Sequence, residues 1–262
     1  MVGQHKLLST IDKHIDSGTF PRTVLLEGDF GCGKHTCAQY IADKLSVQLY
    51  DMTEQLNLET LEQITLSVTP RVYLIDCNKI TVKEQNVILK FLEEPLKHSY
   101  IVLLTESKNK LLNTVVNRCI CWSFEMYSLE ELKGFLEGDK EYILTYARTP
   151  GRILQLQEQP VLDMENLAIK VLTQVKIANY SNILTIPNRL NFKNKEELLD
   201  VDVFIYILLH QSLVQYNSGT IPYSVYELTS ELFNDCYIPH INKQHLFETY
   251  LFKLKQSFEG GV

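Results

Sequence analysis

The apolar positions of the first half of the chain fall into short continuous runs separated by amphipathic stretches. Val72-Tyr73-Leu74-Ile75 and Ile101-Val102-Leu103-Leu104 are apolar at every position, as strands covered on both faces must be. Together with their neighbours they predict strands over Thr23–Glu27, Val47–Asp51, Arg71–Asp76, Tyr100–Thr105 and Cys119–Phe124. Between the third and fourth, Val82, Val87, Ile88, Leu89, Phe91 and Leu92 recur at mostly helical spacing. That spacing predicts a helix from Thr81 to Glu93, with Thr81 and Glu84 as a capping box and Pro95 as the stop. Strands alternating with helices imply an α/β class with a parallel sheet.

From about Ser128 the strand-like runs disappear. Ser128-Leu129-Glu130-Glu131 opens a helix with a second capping-box pattern, and Gly138 is its expected end. Further helices are predicted over Gly151–Gln157, Val161–Ile177, Glu196–Tyr216, Ser224–Asn234 and Lys243–Phe258. Pro187-Asn188 and Asn217-Ser218-Gly219 break the pattern between them. The layout is an α/β domain over residues 1–126, a small helical lid over 127–160 and an all-helical domain over 161–262.

Composition narrows the classes. With 262 residues and 45% hydrophobic content, the chain is long enough to bury a core. No apolar run approaches the roughly 20 residues that span a bilayer, and the N-terminus opens no signal-peptide core, so a cytoplasmic protein without membrane contact is expected. A formal charge of −7 argues against a chain that coats nucleic acid by itself. The six cysteines form no CxxC pair, so disulfides and zinc are not expected. Cys119 and Cys121 share one face of a predicted strand and read as two buried thiols.

The sharpest chemical signal is Gly28-Asp29-Phe30-Gly31-Cys32-Gly33-Lys34, set between a predicted strand and a predicted helix. This is the setting of a phosphate-binding GxxxxGK loop. Its glycines let main-chain N–H groups face phosphate oxygens, and Lys34 supplies an ammonium for the outer phosphates. The next residue should carry a hydroxyl for Mg²⁺ but is His35, a poor ligand for a hard ion. Thr36 lies one step further, rotated by about 100°. Asp76, at the end of its strand, is the candidate carboxylate for Mg²⁺, and the neighbouring position of a water-activating carboxylate is Cys77. A thiol is no substitute for that base, and a small buried residue is its plainer reading. ATP or ADP binding with weakened Mg²⁺ support and slow or absent hydrolysis is therefore expected.

Val2-Gly3-Gln4, Ser17-Gly18-Thr19-Phe20-Pro21, the degenerate loop, Val72–Asp76 and above all Glu84-Gln85-Asn86-Val87-Ile88-Leu89-Lys90-Phe91-Leu92-Glu93-Glu94-Pro95 resemble the clamp-loader AAA+ family. Asn117-Arg118-Cys119 is similar to its Ser-Arg-Cys motif, with Asn117 in place of the serine. Thr149-Pro150-Gly151-Arg152 is similar to the start of its sensor-2 helix. The resemblance covers about Val2 to Leu156; the remainder matches only in being helical and of suitable length for the family's collar domain. It implies a subunit of a hetero-oligomeric ring that opens a sliding clamp and places it on primed DNA. The family's δ′ type, with a defective nucleotide site and a retained arginine finger, is the best match. By that resemblance Arg118 reaches the ATP of a neighbouring subunit.

The same resemblance makes Thr105 a sensor-1 residue, with a strand-end cap as the alternative. It lets Arg152 contact a phosphate in cis, with an ordinary helix-start arginine as the alternative. The four-cysteine zinc module of many relatives is absent, since only Cys37 lies between Lys34 and Asp76. Lys83 and Lys90, seven residues apart on one helix, are candidate DNA contacts, or solvated lysines opposite an apolar face. Two other functions stay open: a self-sufficient AAA+ ATPase of the motor type, and a scaffold that binds no nucleotide.

Overall fold

The computed structural model describes residues 3–57, 60, 64, 68–93, 98–175, 177, 179–183, 185–192, 199–238 and 241–259. Val2, Glu94, Pro95 and Glu196, named above, lie outside them. The chain divides into two compact units, one of Met1–Phe135 with Arg148–Ile153, the other of Leu136–Ala147 with Leu154–Val262. The segment 127–160 contributes to both.

The first unit carries helix α1 (His5–Asp16), β1 (Thr23–Glu27), α2 (Lys34–Lys44), β2 (Gln48–Asp51), β3 (Arg71–Asp76), α3 (Val82–Glu93), β4 (Tyr100–Thr105), the single turn α4 (Asn113–Val116), β5 (Ile120–Ser123) and α5 (Leu129–Lys133). The strands form one parallel sheet in the order β2-β3-β4-β1-β5. Alternate side chains of a strand point to opposite faces, and here both faces are covered. Leu25, Tyr73, Ile75, Ile101 and Leu103 pack with Ile88, Phe91 and Leu92 of α3. Val24, Leu26, Val72, Leu74, Val102 and Leu104 pack with Ile11 of α1 and Cys37, Ala38 and Ile41 of α2. The continuously apolar runs are this two-sided burial written in sequence.

Both capping boxes form. Thr81 N–H donates to Glu84 Oε2 at 2.7 Å and Glu84 N–H returns to Thr81 Oγ1 at 3.3 Å. The Ser128–Glu131 box opens α5. That helix ends at Lys133 rather than running to Gly138, because Gly134 already caps it with its N–H on the Leu132 carbonyl.

Helix α6 (Pro150–Gln157) links the units, and the second unit continues with α7 (Val161–Gln174), α8 (Tyr180–Ile183), the short pair β6 (Leu190–Asn191) and β7 (Leu199–Asp200), α9 (Val201–Asn217), α10 (Tyr223–Asp235) and α11 (Lys243–Glu259). Helix α7 stops three residues short of Ile177. Helix α9 is described from Val201, because the Asp200 carboxylate accepts from the N–H groups of Asp202 and Val203, each at 2.9 Å. A side chain that satisfies the free amides of a first turn fixes where the helix starts. Val203, Phe204, Ile205, Ile207 and Leu208 are all fully buried, so α9 is the central helix of this unit. Among the described residues no helix is long and apolar enough to cross a membrane.

Candidate functional site

The glycine-rich segment leaves the carboxyl end of β1, the end of a parallel sheet where ligands bind in α/β folds. Gly31 and Gly33 take φ of +74° and +100°, values that side-chain-bearing residues rarely adopt. Gly33 is also the N-cap of α2. The loop geometry that the sequence predicts is therefore formed.

Its polar groups are directed inward. The Lys34 side chain is buried, and its Nζ donates to the Gly28 carbonyl and, at 2.9 Å, to the Asp29 carbonyl. Three successive loop carbonyls are taken by residues distant in the chain. Thr149 Oγ1 donates to Phe30 O at 2.7 Å, Gly151 N–H to Gly31 O at 2.9 Å and the Tyr127 hydroxyl to Cys32 O at 2.7 Å. The main chains of Gly31 and Gly151 approach so closely that a Cβ on Gly151 would lie 2.6 Å from Gly31 Cα. Arg152, also buried, places its guanidinium 4.5 Å above the Phe30 ring. The segment Thr149–Arg152 thus straps the loop from outside.

His35 and Thr36 are both exposed on the first turn of α2. Asp76 ends β3, where its Oδ1 accepts from the Asn78 N–H at 3.1 Å and side-chain amide at 2.7 Å. Cys77 is buried, and burial pushes its thiol well above the ordinary range. Thr105 is fully buried; its hydroxyl donates to the Ser107 carbonyl at 2.9 Å, closing the turn after β4. Its carbonyl accepts the Gly28 N–H at 3.1 Å and so ties the loop to the central sheet. Gly28, Gly31, Cys32, Lys34, Thr105 and Arg152 are connected in this way, Gly33 caps α2, and Asp76 is held by its own turn. Among the described residues no cluster of three or more His, Cys, Asp or Glu side chains is placed to hold a metal.

Arg118 lies at the other end of the sheet. It precedes β5, whose Ile120 pairs with Val24 near the start of β1, whereas the loop follows Glu27. Four strand residues at ~3.3 Å each separate the two levels by about 13 Å. The guanidinium donates through Nη1 to the Thr114 carbonyl at 2.8 Å and through Nη2 to Glu93 Oε1 at 2.5 Å. Its side chain remains 35% exposed, and that of Glu93 54%.

The thiol pair beside it departs from expectation. Cys119 is half-buried and held at 3.3 Å from the Val115 carbonyl, but Cys121 is exposed. The reason is topological, since β5 is an edge strand. Sequence reasoning also passed over Phe30, Tyr127, Thr149 and Glu93 as participants. Gly31 and Gly151 were the available signal for the strap, since only residues without a side chain permit such an approach.

A family model described as DNA polymerase III, delta subunit, matches residues 50–128. The γ subunit of DNA polymerase III from Buchnera aphidicola (subsp. Acyrthosiphon pisum) is 24% identical over 77% of this chain and 67% of its own. The δ′ subunits of Bacillus subtilis and Haemophilus influenzae are 30% and 33% identical over 43% and 37% of this chain. The chain spans less than a third of the length of those two proteins, 30% and 29%. Among solved structures, the RuvB Holliday junction branch migration motor of Thermotoga maritima superposes with a TM-score of 0.51 at 21% identity, over 82% of this chain and 77% of that one. A RuvB mutant from the same organism gives 0.54 at 21% identity, over 88% and 83%. The fold is RuvB-like, and within it residues 50–128 are similar to the DNA polymerase III delta-subunit family, as the matched stretches are to γ and δ′ subunits of that polymerase.

Proposed function

We propose that this chain is a δ′-like stator of a replicative clamp loader: a subunit that runs little ATP chemistry itself and lends Arg118 to the nucleotide of a neighbour. In this reading it works in the cytoplasm within a hetero-oligomeric ring, with a sliding clamp and primed DNA as the ring's substrates. The observation that carries it is the inward turn of Lys34 onto the Gly28 and Asp29 carbonyls. An ammonium satisfied by its own loop has little left to offer an outer phosphate.

The phosphate loop as it stands does not fit a magnesium-bound nucleotide. Position 35 has no hydroxyl, the Asp76 carboxylate is turned into the Asn78 turn, and Cys77 is a buried, protonated thiol. Arg118, by contrast, keeps a partly exposed side chain, and its guanidinium is the group that stabilises charge on a transferring phosphoryl. Its separation of about 13 Å along the sheet from its own loop supports a role in a neighbour's reaction rather than its own.

The test is reconstitution with the ATP-hydrolysing subunits of the same complex, measuring DNA- and clamp-stimulated turnover with the native chain and with Arg118→Ala. A fall of at least a hundredfold at the affected site is expected, since supplied arginines contribute about 10³ to 10⁵. An unchanged rate removes the finger from the account. A motor-type reading draws on the γ relative, whose match covers the larger share of the chain. It requires turnover by the isolated chain that Lys34→Ala abolishes.

A further inference from the structure

We infer that Glu93 is the positioning residue for Arg118: it fixes one edge of the guanidinium so that the opposite edge is presented to a phosphoryl group on a neighbouring subunit. The inference rests on the trans role proposed for Arg118 and adds to it the residue that aims the side chain. An unrestrained arginine samples many rotamers, at about 2 kcal/mol of entropy. Here two anchors on different elements hold the planar group: the Thr114 carbonyl of α4 takes Nη1–H and the Glu93 carboxylate takes Nη2–H. A guanidinium has five N–H donors, so three remain for an incoming oxyanion while the plane is already set.

The placement of Glu93 gives a second, independent indication. It is the last described residue of α3, on the carboxyl-terminal side of that helix, toward which the helix dipole carries partial negative charge. A carboxylate there is on the unfavourable side of the dipole, and the cation at 2.5 Å offsets that disadvantage. The pair is half in water on both sides, where such bridges contribute little to folding. Its geometric consequence for Arg118 is therefore larger than its value to the fold.

The experiment uses the full chain, alone and in the reconstituted complex, as native protein and as Glu93→Ala, Glu93→Asp and Arg118→Ala. In the complex, Glu93→Ala is expected to lower the neighbour's kcat by roughly tenfold or more, as loss of alignment does, with the KM for ATP little changed. Glu93→Asp should recover part of that loss. In the isolated chain, ¹⁵N guanidinium spectra should show hindered rotation of Arg118 that Glu93→Ala abolishes, with an unchanged thermal melt. If Arg118→Ala lowers turnover while Glu93→Ala leaves it unchanged or raises it, the positioning role fails and the finger stands. Lowered turnover with unaltered Arg118 spectra also overturns it, since the effect then bypasses the guanidinium. If Arg118→Ala itself changes nothing, the underlying trans role fails and this inference falls with it.

Discussion

Replacing Gly151 by alanine tests the strap on the phosphate loop most directly. The added Cβ would stand 2.6 Å from Gly31 Cα, 3.0 Å from its carbonyl oxygen and 3.2 Å from its carbonyl carbon. All three are main-chain atoms, so no side-chain rotation relieves the contact, and either the loop or the start of α6 must move. Overpacking of this kind costs about 1–3 kcal/mol. Separation also removes the Gly151 N–H to Gly31 O bond and pulls on the Thr149 bond to Phe30 O, each worth about 0.5–1.5 kcal/mol net. Because relief of overlap and loss of bonds are partly alternatives, the total is about 2–4 kcal/mol. In a unit of this size that is a fall in Tm of roughly 6–15 °C. The assay is built in, since the single tryptophan of the chain, Trp122, lies on β5 in the first unit. Its fluorescence reports that unit, while far-ultraviolet circular dichroism reports both. The fluorescence transition should drop by the amount above. A Gly151→Ala protein whose tryptophan transition stays within 1 °C of the native one, measured to about that precision, refutes the close main-chain contact.

Lys34→Met should lower the urea-unfolding free energy of the first unit by about 1–3 kcal/mol, because it strips two loop carbonyls of a buried partner; a lysine serving only as a phosphate ligand would leave the nucleotide-free protein unaffected. Alkylation of the native chain at pH 8 should modify Cys121 quickly and the buried thiols slowly, and Cys121→Ser should remove the fast phase in intact-mass spectra. Burial pushes Cys37 and Cys119 up to about 12, so only about one in 10⁴ of either is thiolate at pH 8, rising tenfold per pH unit. Rapid labelling of Cys37 in the folded state would contradict its burial.

How much of this was legible depended on whether the determining contact was local. Strands over Thr23–Glu27, Arg71–Asp76 and Tyr100–Thr105 have the bounds that the apolar runs and their flanking residues predict, since two-sided burial demands apolar residues and a polar residue ends it. The capping boxes were equally readable, because Thr81 and Glu84, or Ser128 and Glu131, are three residues apart. The exposure of Cys121 was not, for it follows from β5 standing at the sheet edge, and strand order leaves no trace in periodicity. Nor was the direction of Lys34, whose partners are main-chain carbonyls indifferent to sequence. The strap joins positions about 120 residues apart, and Glu93 meets Arg118 across 25. The GxxxxGK spacing anticipated the positive-φ turn at Gly31 and Gly33 between β1 and α2, but that backbone geometry here accompanies a loop that turns its polar groups on itself.

Lys34 and Arg118 differ in what it costs to redirect them. Moving the Lys34 ammonium out to a phosphate breaks two hydrogen bonds from a charged donor inside a buried loop, at about 1.5–3 kcal/mol each. Opening the loop further sacrifices some of the bonds from Thr149, Gly151 and Tyr127. Redirecting Arg118 disturbs a half-exposed pair worth about 0.2–1 kcal/mol and one solvent-exposed bond to the Thr114 carbonyl, and three of its donors need no redirection at all. A phosphate oxyanion that meets this chain therefore gains more per unit of rearrangement at the amino end of β5 than at the loop beyond β1. That ordering is a property of hydrogen-bond accounting within this chain.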